Sequence, residues 1–194
     1  YKFVSDGVYD AAQPQRNREL LHTGTLYVAR FDAGETTGDN MGTGVWIPLK
    51  LDTFTLDGRR LGDLFNNDLG ELLVKTRQAA DAVGATPMDR PEWTATHPTN
   101  GDIYLTLTNN TSRNAATGTN PPNPRLNNVN GHIIRWHDEA GSTKFEWDIF
   151  VFGSDAGADA DTNRSGLTAL NQLASPDGLG FDSRGILWIQ TDNG

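Results

Sequence analysis

The stretch "PEWTATHPTNGDIYLTLTN" (residues 91–109) returns, with one gap, as "PDGLGFDSRGILWIQTDN" (residues 176–193), so that Pro91 matches Pro176, Glu92 matches Asp177, Gly101 matches Gly185, Tyr104 matches Trp188 and Asn109 matches Asn193. A weaker match sets "GTLYVARFD…GVWIPL" against "GHIIRWHDE…FEWDIFVF", Gly24 falling on Gly131. A chain whose elements recur in order must fold as repeated units, and repeats of antiparallel strands with turn residues at fixed offsets point to propeller blades. The spacing exceeds the roughly 40–50 residues of common propeller repeats, because a helix and two long loops intervene.

Each unit is built from short runs rich in β-branched and aromatic residues, bounded by Gly, Asp, Asn and Thr. "YKFVS", "GTLYVARFD" and "GTGVWIPL" read as three strands, and "EWTATHP", "GDIYLTLTNN", "GHIIRWHDE" and "KFEWDIFVFG" as four more. The 21 Gly and 9 Pro of the 194 residues suit such a turn-rich protein better than a helical bundle. One segment departs from the pattern. Leu69, Leu72, Leu73, Thr76, Ala79, Ala80 and Val83 recur at steps of three and four, which predicts a helix over about 68–83. Asp68 and Glu71 form a capping-box pattern at its start, and Gly84 stands where a helix closes.

The expected fold is therefore all-β, a partial β-propeller of about two to three blades with one inserted helix. Residues 1–50 carry the last three strands of one blade, and 51–90 a connection with the helix. Residues 91–153 make a complete four-stranded blade with a long loop at 111–130; 154–174 form an acidic loop, and 175–194 begin the next blade. Since about four to eight blades are needed to close a ring, the chain reads as an internal piece whose open edges need the remainder of the propeller or another copy. A single β-sandwich with a helical excursion is the alternative. A Pro- and Asn-rich loop as long as 111–130 is usually functional or mobile.

Charge and composition narrow the function. The net charge of −9 comes with scattered basic residues, which argues against a nucleic-acid partner. No apolar run approaches the roughly 18 residues needed to span a bilayer. The absence of cysteine removes disulfides and thiolate chemistry from this chain. "DADTN" places Asp159, Asp161 and Asn163 at the first, third and fifth positions of a calcium loop, but Arg164 and Leu170 occupy its glycine and glutamate positions. His22, His97, His132 and His137 never fall at zinc-binding spacing and read as half-buried strand residues.

One constellation remains, in "MDRPEW" (residues 88–93). In a propeller, residues opening the innermost strand of successive blades converge on the channel mouth. Glu92 and Asp177 are such equivalents, and two converging carboxylates repel unless a cation or shared proton offsets them. A hard cation such as Ca²⁺ takes several such oxygens. Arg90 stands at the rim with a planar fork suited to a phosphate or carboxylate. An ion pair with Asp89 or Asp177 is the competing reading. Pro91 is expected to hold Arg90 extended, and Trp93 to be a core residue.

"MDRPEW", "GDIYLTLTNN", "NNVNGHIIRW", "FEWDIFVF" and "SPDGLGFDSRGILWIQTD" resemble, in this order, segments of the PhoX-type bacterial alkaline phosphatases, a six-bladed propeller family. The resemblance implies a calcium-dependent phosphomonoesterase, periplasmic or secreted, with Ca²⁺ and Fe³⁺ in the propeller channel. It implies a phosphate contact for Arg90 and metal ligation by Glu92 and Asp177. The family's iron site uses a cysteine that this chain lacks, so the piece alone is expected to be inactive. A non-catalytic calcium-binding propeller module and a lactonase- or esterase-type propeller hydrolase are the alternatives.

Overall fold

The computed structural model describes residues 1–36, 38–138 and 141–192. It is mostly β, with strands pairing antiparallel to their neighbours in both units and a helical excursion, an arrangement that fits part of a β-propeller. Among the described residues nine strands lie in a seven-stranded sheet of order β1-β2-β3-β7-β6-β5-β4 and a separate hairpin, β8-β9. Two compact units divide the chain, Tyr1–Arg30 with Val45–Thr86, and Phe31–Gly44 with Pro87–Gly194.

In the first unit, β1 (Lys2–Ser5) pairs with β2 (Gly24–Ala33) from Lys2 opposite Tyr27 to Ser5 opposite Gly24. Strand β3 (Met41–Pro48) follows, its Val45–Pro48 part belonging to this unit as does β2 up to Arg30, and then come α1 (Leu61–Leu64), α2 (Leu69–Val74) and α3 (Thr76–Ala82). Val28 and Leu49 from the strand side pack with Leu61, Phe65, Leu72, Ala79, Ala80 and Val83 from the helical side. Of the residues at helical spacing, Leu72, Ala79, Ala80 and Val83 form this buried stripe, while Leu69 and Leu73 remain exposed. Asp68 caps α2, accepting from the amides of Gly70 at 2.7 Å and Glu71 at 3.2 Å.

Two details depart from the sequence reading. Glu71 does not complete a capping box; its carboxylate accepts instead from Lys75 at 2.6 Å and Asn66 at 2.9 Å. The expected single helix is also interrupted at Lys75, whose φ of −97° and ψ of 34° leave the helical region. β-Branched Val74 and Thr76 flank the break, and such residues lose side-chain freedom in a helix. Gly84, at φ +77°, closes α3 as its position in the sequence predicted.

The second unit holds a four-stranded meander, β4 (Pro91–Thr96), β5 (Ile103–Leu107), β6 (His132–Asp138) and β7 (Lys144–Phe152), each antiparallel to the next. The hairpin β8 (Pro176–Phe181) and β9 (Leu187–Thr191) packs on it. Tyr104, Ile133 and Leu179 are the buried centre, with Ala95, Val151, Phe181 and Ile189 around them.

The sequence repeat is reproduced in register. Pro91 lies opposite Leu107 and Pro176 opposite Thr191; a bulge follows in both hairpins; pairing resumes at Thr94–Leu105 and at Leu179–Ile189. The turns agree as well, with Gly101 at φ +78° and Gly185 at +79°. Asn193, the expected counterpart of Asn109, lies outside the described residues. The weaker match of Gly24 to Gly131 also has a steric basis. A Cβ on Gly24 would sit 2.3 Å from the Val4 carbonyl oxygen, and one on Gly131 2.1 Å from that of Thr108. In each case only glycine lets the strand approach its neighbour so closely.

The long loop between β5 and β6 is neither periodic nor loose, because it closes over a buried carboxylate. Asp89 is fully buried and accepts from Arg113 Nε at 2.7 Å, Asn110 Nδ2 at 2.8 Å and Asn128 Nδ2 at 3.3 Å. Its own amide donates to Asn123 Oδ1 at 2.9 Å. Asn128 Nδ2 also reaches His132 Nδ1 at 3.1 Å, while His132 Nε2 lies 2.7 Å from the Pro122 carbonyl. Since Asn128 donates, Nδ1 is the acceptor and the proton sits on Nε2, giving a neutral imidazole. Arg125 spans the far side, donating to the carbonyls of Gly153, Thr162 and Gly131 and to Asn128 Oδ1. Burial pushes the His132 imidazole down to about 4, ahead of the smaller effects of Pro122, Arg125, Asp89 and Arg113. His132 is therefore a buried network residue rather than the half-buried strand residue expected.

Three outcomes follow for stability in urea. Gly131→Ala, which combines a positive φ with a backbone clash, should cost about 3 kcal/mol, against about 1 kcal/mol for Gly101→Ala in open space. Arg113→Ala leaves Asp89 buried without its counter-charge and should cost about 3–5 kcal/mol. The depressed His132 pKa stabilises the fold fully above the unfolded value near 6.5, and that contribution, about 3 kcal/mol, should be lost as pH falls from 6.5 towards 4. His132→Gln should flatten that slope by one proton, and an unchanged slope would exclude His132 as its source.

Candidate functional site

Arg90 sits between the buried Asp89 and the start of β4, and its backbone is in the left-handed region at φ +48°. Ser175, the residue before the matching Pro176, has the same φ of +48°. Two non-glycine residues in this conformation, each before a proline, carry strain of roughly 1–3 kcal/mol apiece that the surroundings must enforce. The enforcing contacts are matched: the Thr108 amide donates to the Arg90 carbonyl at 3.2 Å, and the Asp192 amide to the Ser175 carbonyl at 3.0 Å. The expectation that Pro91 keeps Arg90 extended is thereby corrected. Proline excludes the right-handed helical region, and the Asp89 knot on one side with Thr108 on the other selects the left-handed one.

Each corner delivers one acidic residue into a bulge. Glu92 is exposed at the start of β4, and Asp177 is half-buried at the start of β8. The two strands are tied through Thr106 of β5. Its hydroxyl accepts from the Trp93 amide at 2.9 Å and donates to the Asp177 carbonyl at 2.7 Å, with the Trp93 carbonyl 3.3 Å away. Asp177 and the residue after Glu92 are therefore held against one hydroxyl. A shallow cleft beside them is lined by Trp93, Asp177, Gly178, Gln190, Thr191 and Asp192.

Arg90 is exposed, and its Nη1 donates to Asn109 Oδ1 at 2.7 Å. Neither acid named as its competing partner takes it: Asp89 is turned inward to Arg113, and Asp177 accepts from Thr106 through its backbone carbonyl. Trp93 is 56% exposed instead of being a core residue, because the bulge turns it onto the cleft beside Asp177. Asp89, Thr106 and Asn109 were missed as site-forming residues. The Asn109–Asn110 doublet beside the repeat is the signal that could have found two of these contacts, since Asn109 takes Arg90 and Asn110 takes Asp89.

The donor set fits a metal only in part. Glu92 and Asp177 supply carboxylate oxygens, the choice of a hard cation such as Ca²⁺, which takes about 6–8 oxygen ligands. Among the described residues no group of three or more His, Asp or Glu side chains is arranged to hold a metal ion. A cysteine-dependent iron site has no cysteine here. The acidic 154–174 loop satisfies itself: Asp159 Oδ1 accepts from the Thr162 amide at 2.9 Å, and Asn163 bonds both to the amide and to the carbonyl of Leu167.

Comparison with known proteins bears on the same segments. Among curated proteins none matches the chain. A solved structure described as Pseudomonas fluorescens PhoX in complex with vanadate, a transition state analogue, is 43% identical, with a TM-score of 0.87 over 99% of this chain. The chain spans 34% of that protein's length. The family model for alkaline phosphatase PhoX matches residues 1–194. With its repeat, its paired corners and its full length all covered by that match, the chain belongs to the alkaline phosphatase PhoX family.

Proposed function

We propose that the chain is the part of a phosphomonoester-hydrolysing enzyme that supplies one arginine for phosphate and two carboxylates for calcium. The observation carrying this reading is the duplicated corner. The same pre-proline backbone, bulge and register deliver Glu92 and Asp177 to neighbouring strands tied through Thr106, with Arg90 beside Glu92. The likeness to a PhoX captured with vanadate supports a phosphoryl-transfer site in the intact protein.

Arg90 would hold phosphoryl oxygens through the N–H groups that Asn109 leaves free, using a charge that no carboxylate among the described residues neutralises. Glu92 and Asp177 would each give oxygens to Ca²⁺. When bound, such an ion supplies charge stabilisation for the displacement at phosphorus. Trp93 forms one wall of the adjacent cleft beside Asp177. Iron, implied by the family, would draw its ligands from outside this chain. On this reading residues 91–153 form a whole blade between partial blades at 1–50 and 175–194, completed by the rest of the propeller or by a second copy. A periplasmic or secreted setting, where free calcium is abundant, is consistent with weak extracellular-type calcium ligation.

The full-length protein, metal-loaded, should release phosphate from a chromogenic phosphomonoester, and the 194-residue chain alone should not. Arg90→Ala in the full-length protein should raise the Ki of inorganic phosphate by roughly 10- to 100-fold, the worth of one charged hydrogen-bonding group. Glu92→Gln and Asp177→Asn should each weaken calcium binding in titration calorimetry. Unchanged phosphate inhibition in the first variant, or unchanged calcium affinity in the other two, would remove those residues from the site.

A further inference from the structure

Asp89 and Arg90 are consecutive residues gripped by another consecutive pair, in opposite sense. Asn110 Nδ2 donates to the buried Asp89, and Asn109 Oδ1 accepts from the exposed Arg90. Asn110 is itself fixed by a backbone bridge to Asn128, with amide-to-carbonyl distances of 2.7 and 3.1 Å. Asn109 Nδ2 in turn lies 3.4 Å from Ser175 Oγ, the side chain of the equivalent corner in the next repeat. One amide therefore touches both left-handed corners, at Arg90 and at Ser175.

We infer that Asn109 is a positioning residue, which aims the Arg90 guanidinium at the phosphate and ties its direction to the Asp177 corner. The inference rests on the phosphate role proposed for Arg90. The choice of an amide has a physical reason. A carboxylate at this position would hold the guanidinium as well, but it would cancel the charge and repel a phosphate dianion. A neutral acceptor orients the fork and leaves the full positive charge for the ligand. Arg90 has a long side chain with substantial rotamer freedom to lose, so fixing one N–H in advance reduces the ordering needed when phosphate arrives.

The test is a double-mutant cycle in the full-length, metal-loaded protein, reading the Ki of inorganic phosphate, KM, kcat and the melting temperature. Asn109→Ala should raise Ki and KM about 3- to 10-fold, with kcat less affected and melting within a few degrees of the parent. In the Arg90→Ala background the same substitution should change Ki by less than about 2-fold, since there is no guanidinium left to aim. Asn109→Asp keeps the acceptor, so it should melt normally yet weaken phosphate at least as much as Asn109→Ala. If Asn109→Ala proves unstable, Asn109→Ser, polar but too short to hold the Arg90 guanidinium, takes its place in the cycle with the same expected outcomes. Arg90→Ala impaired with Asn109→Ala neutral, or the two effects fully additive, would overturn the positioning role while leaving Arg90 in the site. Arg90→Ala with unchanged Ki would instead remove the phosphate role and the positioning role together.

Discussion

The geometry of the candidate site depends on one buried carboxylate. Asp89 has no solvent exposure, and its charge is met by Arg113 and by the amides of Asn110 and Asn128. A buried ion pair of this kind gains little net stability, since desolvation offsets most of the attraction. What it does provide is position. Asp89 can be satisfied in only one place, so the next residue, Arg90, has to turn outward through a left-handed backbone that arginine rarely adopts.

That constraint also gives the β5–β6 loop its form. A segment without apolar periodicity cannot be ordered by a hydrophobic stripe, and here it is ordered by polar groups that converge on Asp89, His132 and the backbone of residues 87–89. Asn120 and Asn123 both donate to the Pro87 carbonyl, and Arg125 stacks over Phe152 with its guanidinium 4.9 Å from the ring centre. In a low-dielectric interior such paired groups rigidify the segment, and Arg125 Nε is the member of this network left without a hydrogen-bond partner. The loop is a scaffold for the corner that carries Arg90.

Strands, turns and the repeat were legible in the sequence because each rests on local rules: alternation, glycine at positive φ, proline before a carboxylate. Gly101 with Gly185, and Gly24 with Gly131, fell on matching positions for steric reasons that the pattern already contained. Glu92 and Asp177 stood out by the same repeat, whereas Arg90, matched by Ser175 in the second copy, stood out by its place beside Glu92 and by the family resemblance. What could not be read were the partners. Nothing local says that Asp89 turns inward to Arg113, twenty-four residues on, or that Thr106 ties the strand of Trp93 to that of Asp177. These are long-range choices made by packing. The same holds for Trp93, an apolar residue that periodicity assigns to a core and that the bulge turns onto a cleft.

Central to the proposed function is that the two repeated corners serve a single site. It is tested most directly by a crystal structure of the full-length protein grown with calcium and a tetrahedral oxyanion, with anomalous scattering used to identify the cation. The account predicts a calcium ion bound by both Glu92 and Asp177, and the oxyanion on the Arg90 guanidinium with Asn109 still holding its Nη1. A calcium ion bound by neither carboxylate, or an oxyanion seated away from Arg90, would contradict it.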